Sequence, residues 1–512
     1  MSNLWAAFDS QVQVNGESPA LVFSDSIMSF DELKLAAERS AAALVSYGVR
    51  RGDVVALQLP KRRIAYAMLL GCLRLGVPYV FLDPKNPPDR TKRMVDQLRP
   101  KVLIGEGVLD NPHGSSLTID KLSGDRWLEE FVPYSDSEPA CSAVGTDPAY
   151  VMFTSGSTGE PKGAVISHQG VASLIAWARE MGHGSPKERF TGLNPLHFDN
   201  SVFDIYCSLF NGAALVPLET SEISNPVTWV KTIRNSQATV MFAVPTLFLI
   251  LDQLGLLTAT SLPDVRFFQF GGEGYPITRL KELQSRFAEQ ADLINVYGPT
   301  ETSCICSSIK VTPEVLATTD MEFAPLGPMH RDFNYFIMGQ DGSPCIVGES
   351  GELWIGGPCV GLGYFGQPQQ TSEQFKQDPR QDAFRSIWYR TGDLVREDNR
   401  GWLWFQGRVD NQVKIRGHRI ELEEVDFAVQ SVTDVRRAVS VLLQSAEGAE
   451  IVVAYIADRP VGANEVMAAC KAKLPVYMRP ARVLQLSDLP RNQNGKVDRK
   501  AVLARIESEI LQ

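Results

Sequence analysis

No run of about 18 apolar residues, the length a membrane-crossing helix requires, occurs in the chain, so no membrane role is expected. Basic excess is also missing. Lys and Arg number 50 against 60 Asp and Glu, a net charge of -10, which argues against nucleic acid as the main partner. The N-terminal stretch from Met1 to Ser10 has no basic region followed by an apolar core. No signal peptide is expected, therefore, and a cytoplasmic location is. Cysteine is sparse. The eight residues are scattered, only Cys304 and Cys306 lie close, and no His or second Cys pair stands around them at metal spacing. Reduced thiols are the expectation, rather than a disulfide framework or a zinc site.

What is present describes an ordinary globular chain too long for one core. It has 512 residues, 44% of them hydrophobic, so two or more domains are expected. A helical pattern starts at Ser29-Phe30-Asp31-Glu32 and is stopped by Gly48. An apolar strand follows from Asp53 to Leu59, then a helix from Arg63 to Leu75 ended by Gly76. Tyr79 to Leu82 and Val102 to Ile104 read as further strands. This strand–helix–strand rhythm is that of a parallel, doubly wound sheet.

The most informative stretch is Thr154-Ser155-Gly156-Ser157-Thr158-Gly159-Glu160-Pro161-Lys162-Gly163, directly after the apolar run Ala149 to Phe153. Glycines let backbone N–H groups approach anionic oxygens, hydroxyls donate further hydrogen bonds, and a lysine adds charge. It is not the common nucleotide loop G-x-x-x-x-G-K-[ST], since Pro161 separates the last glycine from Lys162. A flexible Ser/Gly linker is the rival reading. The strand before the loop and the Pro-Lys after it speak against that.

Other stretches suggest ligand chemistry. Asp199 lies in Phe198-Asp199-Asn200-Ser201-Val202-Phe203-Asp204; a lone Asp there is ordinarily a helix cap. Strands expected at Thr239 to Pro245 and at Phe267 to Phe270 end in turns, the second at Gly271-Gly272-Glu273. Glycines at the carboxyl end of a parallel strand mark where ligands dock. Asn295-Val296-Tyr297-Gly298-Pro299-Thr300-Glu301 follows another expected strand. Gly361-Leu362-Gly363-Tyr364-Phe365-Gly366 matches the dinucleotide pattern G-x-G-x-x-G, but it lacks the required helix context and reads as accidental.

Taken together and in order, these motifs resemble those of the adenylate-forming superfamily: acyl-CoA synthetases, luciferases and the adenylation domains of peptide synthetases. The resemblance spans essentially the whole chain. It implies an α/β fold with a large N-terminal domain, 1–409, of parallel doubly wound sheets and a β-rich subdomain. A small mobile α+β C-terminal domain, 410–512, would swing about a hinge at Asp410. It implies ATP and Mg²⁺ at the loop Thr154, Ser155, Gly156, Ser157, Thr158, Gly159 and Lys162. Gly271, Gly272, Glu273, Tyr297 and Gly298 would lie along the adenine. Thr300 would touch the α-phosphate, Glu301 would help hold Mg²⁺, and Asp393 and Arg408 would contact the ribose. Lys496, in the glycine-rich stretch near the end, matches the catalytic lysine. Gly417 would admit a phosphopantetheine thiol.

Asp199 matches the carboxylate that pairs with a substrate α-ammonium, so an amino acid is expected rather than a fatty or aryl acid. By the same resemblance Asn200, Phe203, Phe242, Phe268, Phe270, Val296, Cys304 and Ile305 line the side-chain pocket. Four phenylalanines leave little volume, so a small substrate is expected, alanine first. The chain ends twelve residues after Lys500, so a separate carrier protein is the expected acceptor. Free-standing D-alanine–carrier-protein ligases are similar around Phe198 to Gly212, but they carry a cysteine where this chain has Phe270. An acid:CoA ligase and a non-catalytic nucleotide sensor are the alternatives, disfavoured by Asp199 and by the intact catalytic positions.

Overall fold

A computed structural model describes residues 3–107, 109–119, 129, 131, 143–219, 225–317, 321–445, 448–491 and 497–510. The chain divides into two compact units. One comprises Met1–Pro84, Leu98–Phe153 and Gly163–Val409, and the other Lys85–Gln97, Thr154–Lys162 and Asp410–Gln512. Two short segments from the first 409 residues, one of them the glycine loop, thus group with the C-terminal unit.

In the larger unit, eight strands form one sheet in the order Ser307–Lys310, Asp292–Tyr297, Phe267–Gly271, Val240–Ala243, Arg189–Gly192, Ala214–Pro217, Pro19–Val22 and Ile27–Ser29. The six inner strands are parallel, and the two outermost pair antiparallel. A seven-stranded sheet carries Val55–Gln58 between Tyr79–Phe81 and Val102–Gly105, all parallel. A third sheet, of five antiparallel strands, is built on the long strand Ile387–Glu397. This is the expected combination of parallel, doubly wound sheets with a β-rich part.

Local chemistry accounts for the elements. Ser29 caps the helix Phe30–Ser46, and Glu32 returns a hydrogen bond to the Ser29 N–H, forming a capping box. The helix Arg63–Leu75 is buried along nearly its whole length, as its long apolar run, broken only by Arg74, requires, and ends at Gly76 in the left-handed conformation. Parallel strands are covered on both faces, so both faces of the eight-stranded sheet are apolar.

The second unit contains a hairpin, Gln412–Ile415 paired with His418–Glu421, and a sheet of Val435–Ser445, Gly448–Ala457 and Arg482–Gln485. Residues 412–421 thus form two strands joined at Arg416-Gly417. Arg416 and Gly417 have φ of 51° and 79°, the positive values of a two-residue primed turn, for which glycine is the natural second residue.

Candidate active site

Strand register decides which expected pocket residues meet. Phe242 stands beside Gln269, Gln269 beside Ile294, and Gly271 beside Val296. In-register neighbours share a face, so Phe242, Gln269, Gly271, Ile294 and Val296 point one way. Phe203, Phe242, Val296, Cys304 and Ile305 pack into one buried cluster, with the Phe203 and Phe242 rings 5.1 Å apart. Phe268 and Phe270 point the other way. They pack against Phe248, Phe287 and Tyr275 in a separate cluster. Neither therefore shares the face of Phe242 and Val296, a correction to the expected wall caused by a one-residue phase error in a strand, which exchanges its faces.

In their place come Gln269 and Gly271. Gln269 is fully buried, and its amide nitrogen lies 3.0 Å from His183 Nδ1. Its carbonyl oxygen has no hydrogen-bond partner among the described residues. Burial holds His183 neutral, its pKa pushed down to about 4. A Cβ added to Gly271 would lie 2.5 Å from the Val296 carbonyl oxygen, so only glycine fits there. The lone amide among the phenylalanines of Phe267–Gly271 is the sequence signal that would have found Gln269.

At the other end of the cluster Asp199 makes no capping hydrogen bond, so the ordinary reading of a lone Asp fails here. Instead the Thr300 hydroxyl donates to Asp199 Oδ2 at 2.5 Å. A group expected to meet the substrate ammonium and one expected to meet the α-phosphate are thereby joined. Asn200 is buried in the short helix that follows, and this helix continues into a π-helical turn, Phe203–Cys207. Such turns widen a helix by one residue and re-aim its side chains. Burial, then the charge of Asp199, pushes the Cys304 thiol well above its ordinary pKa. The Tyr150 phenol, also buried, is pushed up by Cys304 and Asp199 as well. Cys304 is held at a φ of 79° directly after Ser303 at 62°.

Among the residues expected around adenine and ribose, Tyr297, Asp393 and Arg408 form a hydrogen-bonded set. Tyr297 OH donates to Asp393 Oδ2 at 2.6 Å, and Arg408 pairs with Asp393 Oδ1. Burial and the Asp393 carboxylate push the Tyr297 phenol well up. Glu273 accepts from the Thr246 hydroxyl at 2.6 Å. A Cβ on Gly298 would lie 2.2 Å from the Cys304 carbonyl oxygen. Glu301 is fully buried and accepts from Tyr364 OH at 2.7 Å. Tyr364 lies in the stretch set aside as an accidental dinucleotide motif. It holds a carboxylate 63 residues away, and no local pattern announces that. A single carboxylate suits Mg²⁺, which takes its remaining ligands from phosphates and water.

Within the C-terminal unit, Ser157 and Thr158 of the loop are exposed, whereas Ser155, Gly156, Gly159 and Lys162 are buried. Lys162 Nζ lies 3.3 Å from Glu421 Oε1. Asp410 Oδ1 accepts from the Gln412 N–H at 3.2 Å. Lys496 lies outside the described residues. Among the described residues no cluster of three or more His, Cys, Asp or Glu could hold a metal, seven cysteines are free thiols, and no helix is long and apolar enough to cross a membrane.

The chain is similar to several known proteins. The family description "AMP-binding enzyme" matches residues 8–365. An L-proline–[L-prolyl-carrier protein] ligase of Pseudomonas fluorescens is 32% identical over 501 residues, covering 95% of this chain and 96% of that protein. Surfactin synthase subunit 3 of Bacillus subtilis is 32% identical over 502 residues, and the match spans 96% of this chain but only 38% of that protein. The crystal structure of IdnL1 superposes with a TM-score of 0.80 at 29% identity, covering 96% of this chain and 99% of that one. The chain belongs to the AMP-binding, adenylate-forming enzyme family.

Proposed function

We propose that the protein activates a small amino acid with ATP, releasing pyrophosphate, and passes the aminoacyl group to the phosphopantetheine thiol of a separate carrier protein. The observation that carries this reading is the Asp199–Thr300 hydrogen bond beside an apolar cluster. A carboxylate at the mouth of an apolar pocket calls for a cation, and the substrate α-ammonium supplies one. A simple acid would leave Asp199 facing a carboxylate or nothing. The carrier-protein ligase of similar length supports the thiol acceptor.

The chemistry demands charge neutralisation, because a carboxylate must approach an anionic phosphate. Thr300 takes the role of the α-phosphate contact, and its hydroxyl donates to Asp199. Glu301 would hold Mg²⁺ in part, and the ion would supply positive charge to the phosphates. Lys162 belongs to the loop that receives the outer phosphates. Lys496 takes the role of the lysine that bridges substrate and α-phosphate, Asp410 that of the hinge, and Gly417 that of the thiol entry. Donors already fixed in a dry site stabilise developing charge more than water does.

Pocket size must be revised from four rings to two. Phe203 and Phe242 remain, while Gly271 adds no side chain, so alanine is no longer favoured by volume over proline or valine. Gln269 adds one polar contact at the wall. The test is to incubate the enzyme with ATP, alanine, serine, proline, valine or phenylalanine in turn, and a phosphopantetheinylated carrier protein or CoA. Intact mass then reports the thioester. We expect one of the smaller amino acids on the carrier. Phenylalanine alone, or loading of CoA only, would contradict the reading.

A further inference from the structure

Three groups of the glycine loop are engaged by one short stretch of the same unit. Lys162 Nζ lies 3.3 Å from Glu421 Oε1, and the Gly156 N–H donates to Glu424 Oε2 at 3.3 Å. The Ser155 hydroxyl donates to the Arg419 carbonyl at 2.8 Å and accepts from the Glu421 N–H at 3.1 Å. Glu421 and Glu424 are 4% and 2% exposed, so both carboxylates are withdrawn from water. Each has a second partner. Gln412 Nε2 donates to Glu421 at 3.0 Å, and Arg90 pairs with Glu424.

Glu421 precedes the helix Leu422–Gln430, where a side chain would ordinarily cap the free N–H groups, yet it makes no capping bond. Its carboxylate turns to the loop lysine instead. A buried ammonium without an anion is costly, and a carboxylate takes N–H and ammonium donors much as a phosphate oxygen does. These two glutamates fill positions that, on the function proposed above, belong to the outer phosphates of ATP.

We propose that Glu421 and Glu424 are the resident anions of the phosphate loop. ATP or pyrophosphate must displace them to bind, and their return clears pyrophosphate from the loop once the adenylate has formed. The proposal rests on the adenylating function. It adds two positioning residues to it and gives pyrophosphate release a structural cause. The two occupants compete: weakening the carboxylates' hold raises the fraction of loop that is free, and the apparent affinity for phosphate rises with that fraction.

The test uses the full chain, with magnesium pyrophosphate and ATP as probes in calorimetry. Glu421→Gln keeps the shape and removes the charge. If the loop is carboxylate-bound about two-thirds of the time, this variant binds pyrophosphate about threefold more tightly than the parent. It also shows a lower KM for pyrophosphate in the exchange reaction. Structural damage would weaken binding, not strengthen it. A second variant, Arg90→Gln with Glu424→Gln, removes the other pair together and should shift affinity the same way, so a poorly folded first variant does not decide the matter. Unchanged or weaker pyrophosphate binding in both overturns the proposal. Lys162→Ala separates the two readings. If it loses phosphate affinity while Glu421→Gln gains none, only the resident-anion proposal fails. If it binds ATP and pyrophosphate as the parent does, the phosphate-loop assignment fails with it.

Discussion

Replacing Asp199 by asparagine tests the substrate ammonium site with little change in shape. The amide oxygen can still accept from Thr300, whose hydroxyl donates to Asp199 at 2.5 Å. No helix cap is lost, because Asp199 provides none. What disappears is the charge facing the ammonium. Removing one partner of a fully buried ion pair costs about 3–5 kcal/mol. Asp199 is only half-buried, which puts the expectation at the low end, about 3 kcal/mol or roughly 150-fold in kcat/KM for the amino acid. ATP affinity should stay constant, since the loss falls on the other substrate. A des-amino acid such as propionate should bind no worse and could improve slightly. Amino-acid-dependent ATP–pyrophosphate exchange reads all three. An amino-acid kcat/KM within threefold of the parent would remove Asp199 from the ammonium site and reopen the acyl-CoA reading.

Lys496→Ala should lower adenylate formation by roughly 10²–10³ while leaving transfer from preformed adenylate largely intact; pyrophosphate exchange at the parent rate would reject its catalytic role. Asp410→Pro fixes φ near -65°, so it should block one half-reaction and spare the other, and equal loss or no loss in both would reject the hinge. His168 and His183 are fully buried, and burial pushes both down to about 4 from an ordinary 6.5. Their folded pKa lies below the unfolded one, so unfolding takes up protons and stability falls as pH drops from about 6.5 to about 4. Each histidine contributes about 1.4 kcal/mol per pH unit within that window. Urea titrations of His183→Gln across it should show one histidine's share of the slope removed, and an undiminished slope would refute the assignment.

The helix Arg63–Leu75 was legible to the residue, since a long apolar run broken only by Arg74 and bounded by Gly76 has one solution. The pocket strand was harder. Phe267–Gly271 is covered on both faces, so alternation carries no polar contrast and its phase is open by one residue. That single step placed Phe268 and Phe270 in the wall, hid Gln269, and made the pocket look smaller than it is. The turn at Arg416-Gly417 carries no usual signal in the sequence, because arginine seldom takes a positive φ. The hold of Tyr364 on Glu301 and of Thr300 on Asp199 joins residues 63 and 101 positions apart, and one sequence contains no pattern for such pairs. Motif residues could be named from the sequence, but their partners required the fold.

The most direct measurement is ATP–pyrophosphate exchange with matched pairs: alanine against propionate, valine against isovalerate, and proline against cyclopentanecarboxylate. Exchange is expected with at least one amino acid of the set and little with its des-amino partner, the gap closing in Asp199→Asn. Equal or faster exchange with the des-amino acids, or none with any amino acid, would contradict it.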